Sequence, residues 1–327
     1  MKKILQQLFE HQPLTILQAK EVMLQIGKGV YTDAEIASFI TVYLMRTISI
    51  AELIGFKEAL LEMALPVYFN DAVIDIVGTG GDGKNTFNIS TISSFVVAGT
   101  GVKVAKHGNY ASTSVTGSSN VMEQLGYQFK SDTSVLQKEL DTANITFLHA
   151  PVFHPALKVV SHIRKQMGVR TVFNMLGPLV NPAKPTYRLL GVYNAETARL
   201  YNYLMQQTQQ HFAIVNSLDG YDEISLTTDT KVITPNGEKI YTAYELGKRT
   251  VAPDDITGGQ SPADAAKIFL QILKGEGTWA QNAVVFANAA MALYSTDKFE
   301  SYDACHALAV DSLESGKALQ SFKKLIR

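Results

Sequence analysis

The sequence predicts an α/β fold, a mainly parallel sheet flanked by helices, joined to a small, discontinuous all-helical N-terminal domain. Three observations predict it. Residues 1–64 contain hydroxyl residues placed three positions before a long polar acceptor, the pattern that starts helices. From about residue 67, short β-branched runs alternate with helical patterns. Between residues 170 and 188, Gly177, Pro178, Pro182 and Pro185 forbid a continuous helix.

Taken in order, Thr15 with Gln18, Thr32 with Glu35 and Ser49 with Glu52 each read as a capping box, in which two side chains satisfy orphan backbone donors reciprocally. Behind the second start, Ile36, Phe39, Ile40, Tyr43 and Leu44 recur at helical spacing. This bundle is apolar and poor in chemistry, so it reads as scaffold or subunit interface. Pro66 ends it, and "AVIDIV" is a strand that runs into glycines. Helix "STISSFVVAGTG", strand "VKVAK", helix "NVMEQLGY" and strand "ITFLHA" follow, then "RLLGVY", a helix from Ala195 to Gln209, and "HFAIVNS". Such alternation implies parallel strands covered by helices. "PNG" at 235–237 marks a hairpin added to that sheet, and Ser261-Pro262 starts a further helix before Ala-rich helices close the chain. The Gly/Pro stretch turns the chain back into the helical domain. The expected boundaries are 1–66 plus about 162–184 for that domain, and 67–161 plus 185–327 for the α/β domain.

Composition narrows the function. A length of 327 residues suits two domains rather than one core. The formal net charge of -1 leaves no overall basic footprint, which argues against a nucleic-acid partner. The lone Cys305 excludes an internal disulfide and suits a reducing compartment. No segment approaches the ~18 to 20 apolar residues of a membrane span. The opening "MKKILQQLFEHQ" lacks a signal-peptide apolar core, so a cytoplasmic protein with no membrane partner is expected.

The chemistry centres on "DIVGTGGDGKNTFNIST", residues 75–91. Gly78, Gly80 and Gly83 spell a dinucleotide fingerprint, but the second strand ends with Lys103, Lys106 and His107 where that reading requires a carboxylate. Gly78, Gly83 and Lys84 spell a P-loop, but Asn85 stands where a hydroxyl should hold Mg²⁺, and helix signals begin only at Asn88. A bare glycine turn is the bland alternative. "NIST" nevertheless places exposed amides and the positive end of a helix dipole after the first strand. "KHGNYASTSVTGSS" follows the second strand with cations and a Ser/Thr run, ending where Asn120 and Glu123 read as a capping box. Two such loops at the carboxyl ends of parallel strands converge on one crevice and suit a ligand with two separated phosphate groups. After a third strand, Asp222 and Glu223 in "SLDGYDEIS" can offer neighbouring oxygens to Mg²⁺.

In this order, "GTGGD", "NIST", "KHGN", "HPALK", "GVRTVFNMLGPLVNPA" and "DEIS" make the chain resemble the anthranilate phosphoribosyltransferases along essentially its whole length. The resemblance implies transfer of phosphoribose from phosphoribosyl pyrophosphate to the amine of anthranilate in tryptophan biosynthesis, with two Mg²⁺ ions and a homodimer formed through the helical domain. It further implies roles for individual residues. Gly78, Gly81, Asp82 and Thr86 would line the pyrophosphate and ribose site, and Asn88, Ile89, Ser90 and Thr91 would hold the 5-phosphate. Lys106, His107, Gly108, Asn109, Tyr110, Ala111, Ser112, Thr113, Ser114 and Ser118 would close over the donor. Ser90, Asp222 and Glu223 would hold metal. Gly78, Asn109 and Arg164 would address anthranilate, with His107, His154 and Pro178 shaping its entrance. By composition alone, Arg164 would be an ordinary surface helix arginine. No residue is expected to act as a catalytic acid or base, because an aryl amine carries its own lone pair at neutral pH.

The chain departs from the family at Tyr110, Val115 and Asn120, where relatives usually carry Arg, often Lys, and commonly Asp. Two positive charges are therefore missing beside the donor. The rival readings are a pyrimidine nucleoside phosphorylase, which would show a "KHS" type motif at "KHGN" and lack "NIST", and a non-catalytic nucleic-acid-binding relative.

Overall fold

The computed structural model describes residues 1–111 and 115–327. The chain divides into two compact units, Met1–Val67 with Ala150–Lys184, and Tyr68–His149 with Pro185–Arg327. The second segment of the helical unit therefore begins at Ala150, ahead of the residue near 162 expected from sequence. The chain leaves its third strand directly into the short helix Ala150–Phe153, which carries Pro151 in its first turn, with no intervening loop to mark the change. There the Phe153 carbonyl accepts the Leu65 N–H at 2.8 Å.

In the helical unit, Ile16–Gly27, Asp33–Met45 and Ile50–Met63 each begin with the expected capping box, at Thr15, Thr32 and Ser49. Phe39, Tyr43 and Phe56 pack edge to face with centroids 5.2–5.7 Å apart, a geometry that sets positive ring edges on negative faces. Glu52 serves two purposes. It completes the Ser49 box, and it accepts from Arg46, Tyr43 and the Leu14 N–H while fully buried.

The α/β unit holds strands β1 (Ile74–Gly78), β2 (Val104–Gly108), β3 (Ile145–His149), β4 (Tyr187–Gly191), β5 (His211–Ser217), β6 (Thr230–Thr234) and β7 (Gly237–Tyr241). They form one sheet in the order β3-β2-β1-β4-β5-β6-β7. The first five are parallel, and β6–β7 is the antiparallel hairpin turned by Pro235 and Asn236. The helix Ile89–Gly99 is buried along almost its whole length and carries no charged residue; the hydroxyls of Ser93 and Ser94 are spent on backbone carbonyls. The helix beginning at Ala195 stops at Met205, short of the expected Gln209. From β1 the chain moves outward through β2 and β3, then returns to place β4 on the other flank of β1. Strand order reverses between β1 and β4, and crevices at such points are where open α/β sheets bind ligands.

Candidate active site

At that switch point two glycines face each other in register, Gly78 ending β1 and Gly191 ending β4. A Cβ on Gly78 would overlap the Asp222 carboxylate, and one on Gly191 would overlap the Asp222 carbonyl. Bare backbone thus lets the loop after β5 lie across both strand ends. The Gly80 N–H donates to Asp222 Oδ2 at 2.6 Å, while the Ser90 N–H donates to Glu223 Oε1 at 3.1 Å in the first turn of Ile89–Gly99. Adjacent acids therefore address two different loops.

Both carboxyls are held against their preference for ionisation. Burial pushes Asp222 up to about 7, and the negative charge of Asp82 adds to the shift. Burial, then the Asp222 charge, also pushes Glu223 well above the usual carboxylate range. Its Oε2 is sealed from solvent and has no hydrogen-bond partner among the described residues. Among those residues no three His, Cys, Asp or Glu side chains are grouped to hold a metal by themselves. Two crowded carboxylates with an orphaned oxygen, one of them held by the Ser90 N–H, instead fit a hard cation that takes its remaining ligands from phosphate and water. Ser90, Asp222 and Glu223 are the residues that would hold it.

Lys106 is buried beneath this cluster. Its Nζ donates to the Ile76 carbonyl at 2.5 Å and lies 3.4 Å from Ser90 Oγ. Burial pulls the ammonium down to about 8 against the opposing pull of Asp75 and Glu223. Lys103 behaves differently from the expectation that it ends the strand with Lys106 and His107. Because β2 starts at Val104, Lys103 sits at the opposite end, paired with Asp71 at 2.6 Å and Asp141 at 2.9 Å. The His107 N–H donates to Asp75 Oδ1 at 3.1 Å, and Asp75 lies in register with buried Arg188 on the next strand.

The other expected donor residues fall along the same loops. Gly81 and Asp82 belong to the glycine turn, where the Lys84 N–H holds Asp82 Oδ1 at 2.9 Å. Lys84 Nζ lies 4.6 Å from the centroid of the Tyr221 ring, so its ammonium is over an aromatic face. Thr86 forms an isolated bridge with Thr257. Asn88 does not cap its helix with its side chain; its Nδ2 donates to the Thr116 carbonyl at 3.2 Å. Ile89 stands in the same motif with its side chain turned to the core. Its side chain is fully buried in the hydrophobic cluster, and its N–H is spent on the Phe87 carbonyl at 2.6 Å. Thr91 is likewise buried. Gly108 leaves room for Ser118, whose Oγ a Cβ would meet at 2.6 Å. The Asn109 carbonyl accepts from the Ser119 N–H at 3.1 Å, and the Ala111 N–H donates to Asn120 Oδ1 at 2.9 Å. Ser112, Thr113 and Ser114 lie outside the described residues. The expected Asn120–Glu123 capping box is not formed. The helix begins one turn earlier, at Ser118, so Asn120 Oδ1 receives the Gly117 N–H and Glu123 bonds Tyr110 instead.

Within the helical unit, Arg164 on the helix Lys158–Met167 is half-buried, contrary to its surface appearance in the sequence. Its Nη2 donates to Asn174 Oδ1 at 3.2 Å, and its guanidinium lies 5.5 Å from the centroid of the Phe173 ring. No acid pairs with it among the described residues, its Nε has no hydrogen-bond partner there, and burial lowers its pKa. His154 and Pro178 are buried in the same unit, at the turns Pro155–Leu157 and Gly177–Leu179. Sequence reasoning missed Asp75, Arg188 and Gly191. The signal was available in the first two, since a charged residue inside an apolar strand run must find a buried partner.

Residues 2–64 match the helical bundle domain of the glycosyl transferase family, and residues 70–319 match its α/β domain. An anthranilate phosphoribosyltransferase of Bacteroides thetaiotaomicron is 55% identical over 327 residues, covering 100% of this chain and 98% of that protein. Among solved structures, the anthranilate phosphoribosyltransferase of Thermus thermophilus matches with a TM-score of 0.90 and 31% identity, covering 98% of each chain. That of Saccharomyces cerevisiae, solved with phosphoribosyl pyrophosphate and Mg, matches with a TM-score of 0.90 and 28% identity over 98% of this chain and 95% of that one.

Proposed function

The chain belongs to the glycosyl transferase family, among its anthranilate phosphoribosyltransferases, and from that premise we propose how its residues carry the reaction. The enzyme transfers the 5-phosphoribosyl group from phosphoribosyl pyrophosphate to the amine of anthranilate, releasing pyrophosphate, in tryptophan biosynthesis. Close relatives spanning the full chain favour this over the phosphorylase and nucleic-acid-binding readings. The observation that carries the mechanism is the acid pair laid across two glycine-ended strands, with one carboxylate on the glycine loop and its neighbour on a helix start.

The donor's pyrophosphate lies against Gly78, Gly81, Asp82 and Thr86, and its 5-phosphate against the amides near Ser90. Asp222, Glu223 and Ser90 would hold Mg²⁺, which would supply positive charge to offset that of the departing pyrophosphate. Two ions are proposed because the acids serve two loops. Buried Lys106 keeps the floor of this acidic site electrically balanced and props Ser90. The C1–O bond to pyrophosphate breaks as the amine lone pair of anthranilate forms the C1–N bond, and the nitrogen then releases its extra proton. No protein acid or base is required. The protein contributes orientation and a preorganised field.

Arg164 recognises the anthranilate carboxylate. A half-buried guanidinium with no acidic partner among the described residues is suited to a planar anion, which it can bind through two parallel N–H bonds. A charged hydrogen bond contributes roughly 1.5 to 3 kcal/mol. Arg164→Ala should therefore raise the KM for anthranilate by at least about tenfold while leaving that for the donor nearly unchanged. Equal rises in both, or none, would relocate the acceptor site. Pro178 and His154, in the same helical unit, shape its entrance.

A cytoplasmic homodimer completes the proposal. Leu17, Met45, Phe9 and Val30 on the helical unit are largely exposed, which supports a subunit contact there. Sedimentation velocity tests the assembly. The activity itself is tested with purified protein, phosphoribosyl pyrophosphate, Mg²⁺ and anthranilate by following loss of anthranilate fluorescence. Unchanged fluorescence would reject the assignment.

A further inference from the structure

Ala111 and Gly117, after β2, approach each other closely and form a neck. A Cβ on Gly117 would overlap the Ala111 nitrogen, so the two backbones approach as closely as glycine permits. Asn120 Oδ1 accepts from both sides of this neck, from the Ala111 N–H at 2.9 Å and the Gly117 N–H at 3.0 Å. Beside it, the Tyr110 hydroxyl donates to Glu123 Oε1 at 2.6 Å. The Tyr110 ring meets His149 edge-on, with centroids 4.8 Å apart and planes at 84°. His149 is itself fixed, stacked on Phe129 at 4.1 Å and 11°, with Nδ1 2.8 Å from Ser119 Oγ.

This geometry answers what a tyrosine does where relatives carry a cation. Its hydroxyl is engaged by a carboxylate and its ring by a stacked imidazole, so neither is turned to a phosphate. A tyrosine has few torsions to freeze, and a short bond to a charged acceptor is among the stronger hydrogen bonds. We propose that Tyr110 and Glu123, braced by His149, form a latch that holds the backbone of residues 106–111 in its donor-binding arrangement. Tyr110 is then a positioning residue for phosphoribosyl pyrophosphate, not one of its ligands. The proposal rests on the phosphoribosyltransferase reading. Preordering the loop lowers the entropic cost of binding, so the latch should act on donor affinity and not on the chemical step.

The test is a double-mutant cycle of Tyr110→Phe and Glu123→Ala, with Glu123→Gln as the conservative variant that still accepts a hydrogen bond. Donor binding is read by calorimetry with phosphoribosyl pyrophosphate and Mg²⁺, and the two KM values and kcat by turnover. Each single variant should weaken donor binding by about ten- to a hundredfold, the size expected from losing one charge-assisted bond. The double variant should be no worse than either. Glu123→Gln, which keeps an acceptor but loses its charge, should fall between wild type and Glu123→Ala, and kcat and the anthranilate KM should move less than about twofold. A loss in Tyr110→Phe with none in Glu123→Ala would make Tyr110 a direct ligand and overturn the latch, as would two additive losses or no loss. Equal loss in kcat and in both KM values would reduce the pair to a structural contact and also overturn it. A wild-type protein that binds no donor would instead overturn the transferase reading, so the two failures are distinguishable.

Discussion

Asp222→Asn combined with Glu223→Gln should lower turnover by roughly a thousandfold or more at saturating substrates. The metal's charge stabilisation is worth several kcal/mol, and each ~1.4 kcal/mol is a factor of ten. The fold should survive, because these residues are crowded acids whose neutral analogues relieve repulsion. Far-UV circular dichroism on the assayed sample checks this, and near-normal turnover at limiting Mg²⁺ would sink the assignment. The metal-free proteins should also differ in pH response. The folded-state pKa of Asp222 is raised to about 7, so folding is favoured while the carboxyl keeps its proton. Its stability contribution is present below the ordinary carboxylate range near ~4 and is lost as pH rises through about 7. Wild-type Tm without metal should therefore fall between pH 5 and 8 more steeply than that of the double variant, and Mg²⁺ should restore it. Parallel curves would remove the electrostatic account of the site.

Glu52→Ala should be the most destabilising polar-to-alanine change in the helical unit. The carboxylate is fully buried and receives Arg46 through two nitrogens at 2.5 and 3.0 Å, the Leu14 N–H at 3.0 Å and the Ser49 N–H at 2.9 Å. Deleting it strands a guanidinium and two backbone donors at once. Breaking a buried pair from one side costs about 3–5 kcal/mol, because the remaining charge stays uncompensated. Urea unfolding followed by circular dichroism measures this. A loss below ~1 kcal/mol would mean that Arg46 escapes to water and that the network contributes little. Glu52→Gln should fall between the two, since its carbonyl can keep the backbone donors while the charge is lost.

The three capping boxes show which parts of the fold were written locally. Thr15, Thr32 and Ser49 start helices because a hydroxyl and an acceptor three residues on can satisfy each other without outside help. The alternation of strands and helices, the Pro235–Asn236 turn and the pairing of phosphate-type loops with an acidic dipeptide were legible for the same reason. Each depends on residues a few positions apart. Lys103 marks the limit. It precedes β2, a whole strand's length from the expected site, and forms a surface ion pair with Asp71 and Asp141. Ile89 marks another, since only the fold shows that its side chain, inside a ligand-type motif, lies in the core.

The sequence by itself determined the fold class, the family resemblance and the chemical character of the loops after β1, β2 and β5. Hydrogen-bonding preference and apolar period act at short range, so they survive without coordinates. Only the tertiary structure decided that Gly78 and Gly191 stand side by side, that both must lack a Cβ to admit Asp222, and that Asp75 lies beside Arg188. It alone turned Arg164 from a surface residue into a half-buried guanidinium without an acidic partner among the described residues, and paired Tyr110 with Glu123. These facts depend on which strands neighbour one another and on what burial does to a charge. Neither is a property of any short stretch of chain, because both arise when segments distant in sequence exclude water from the same place.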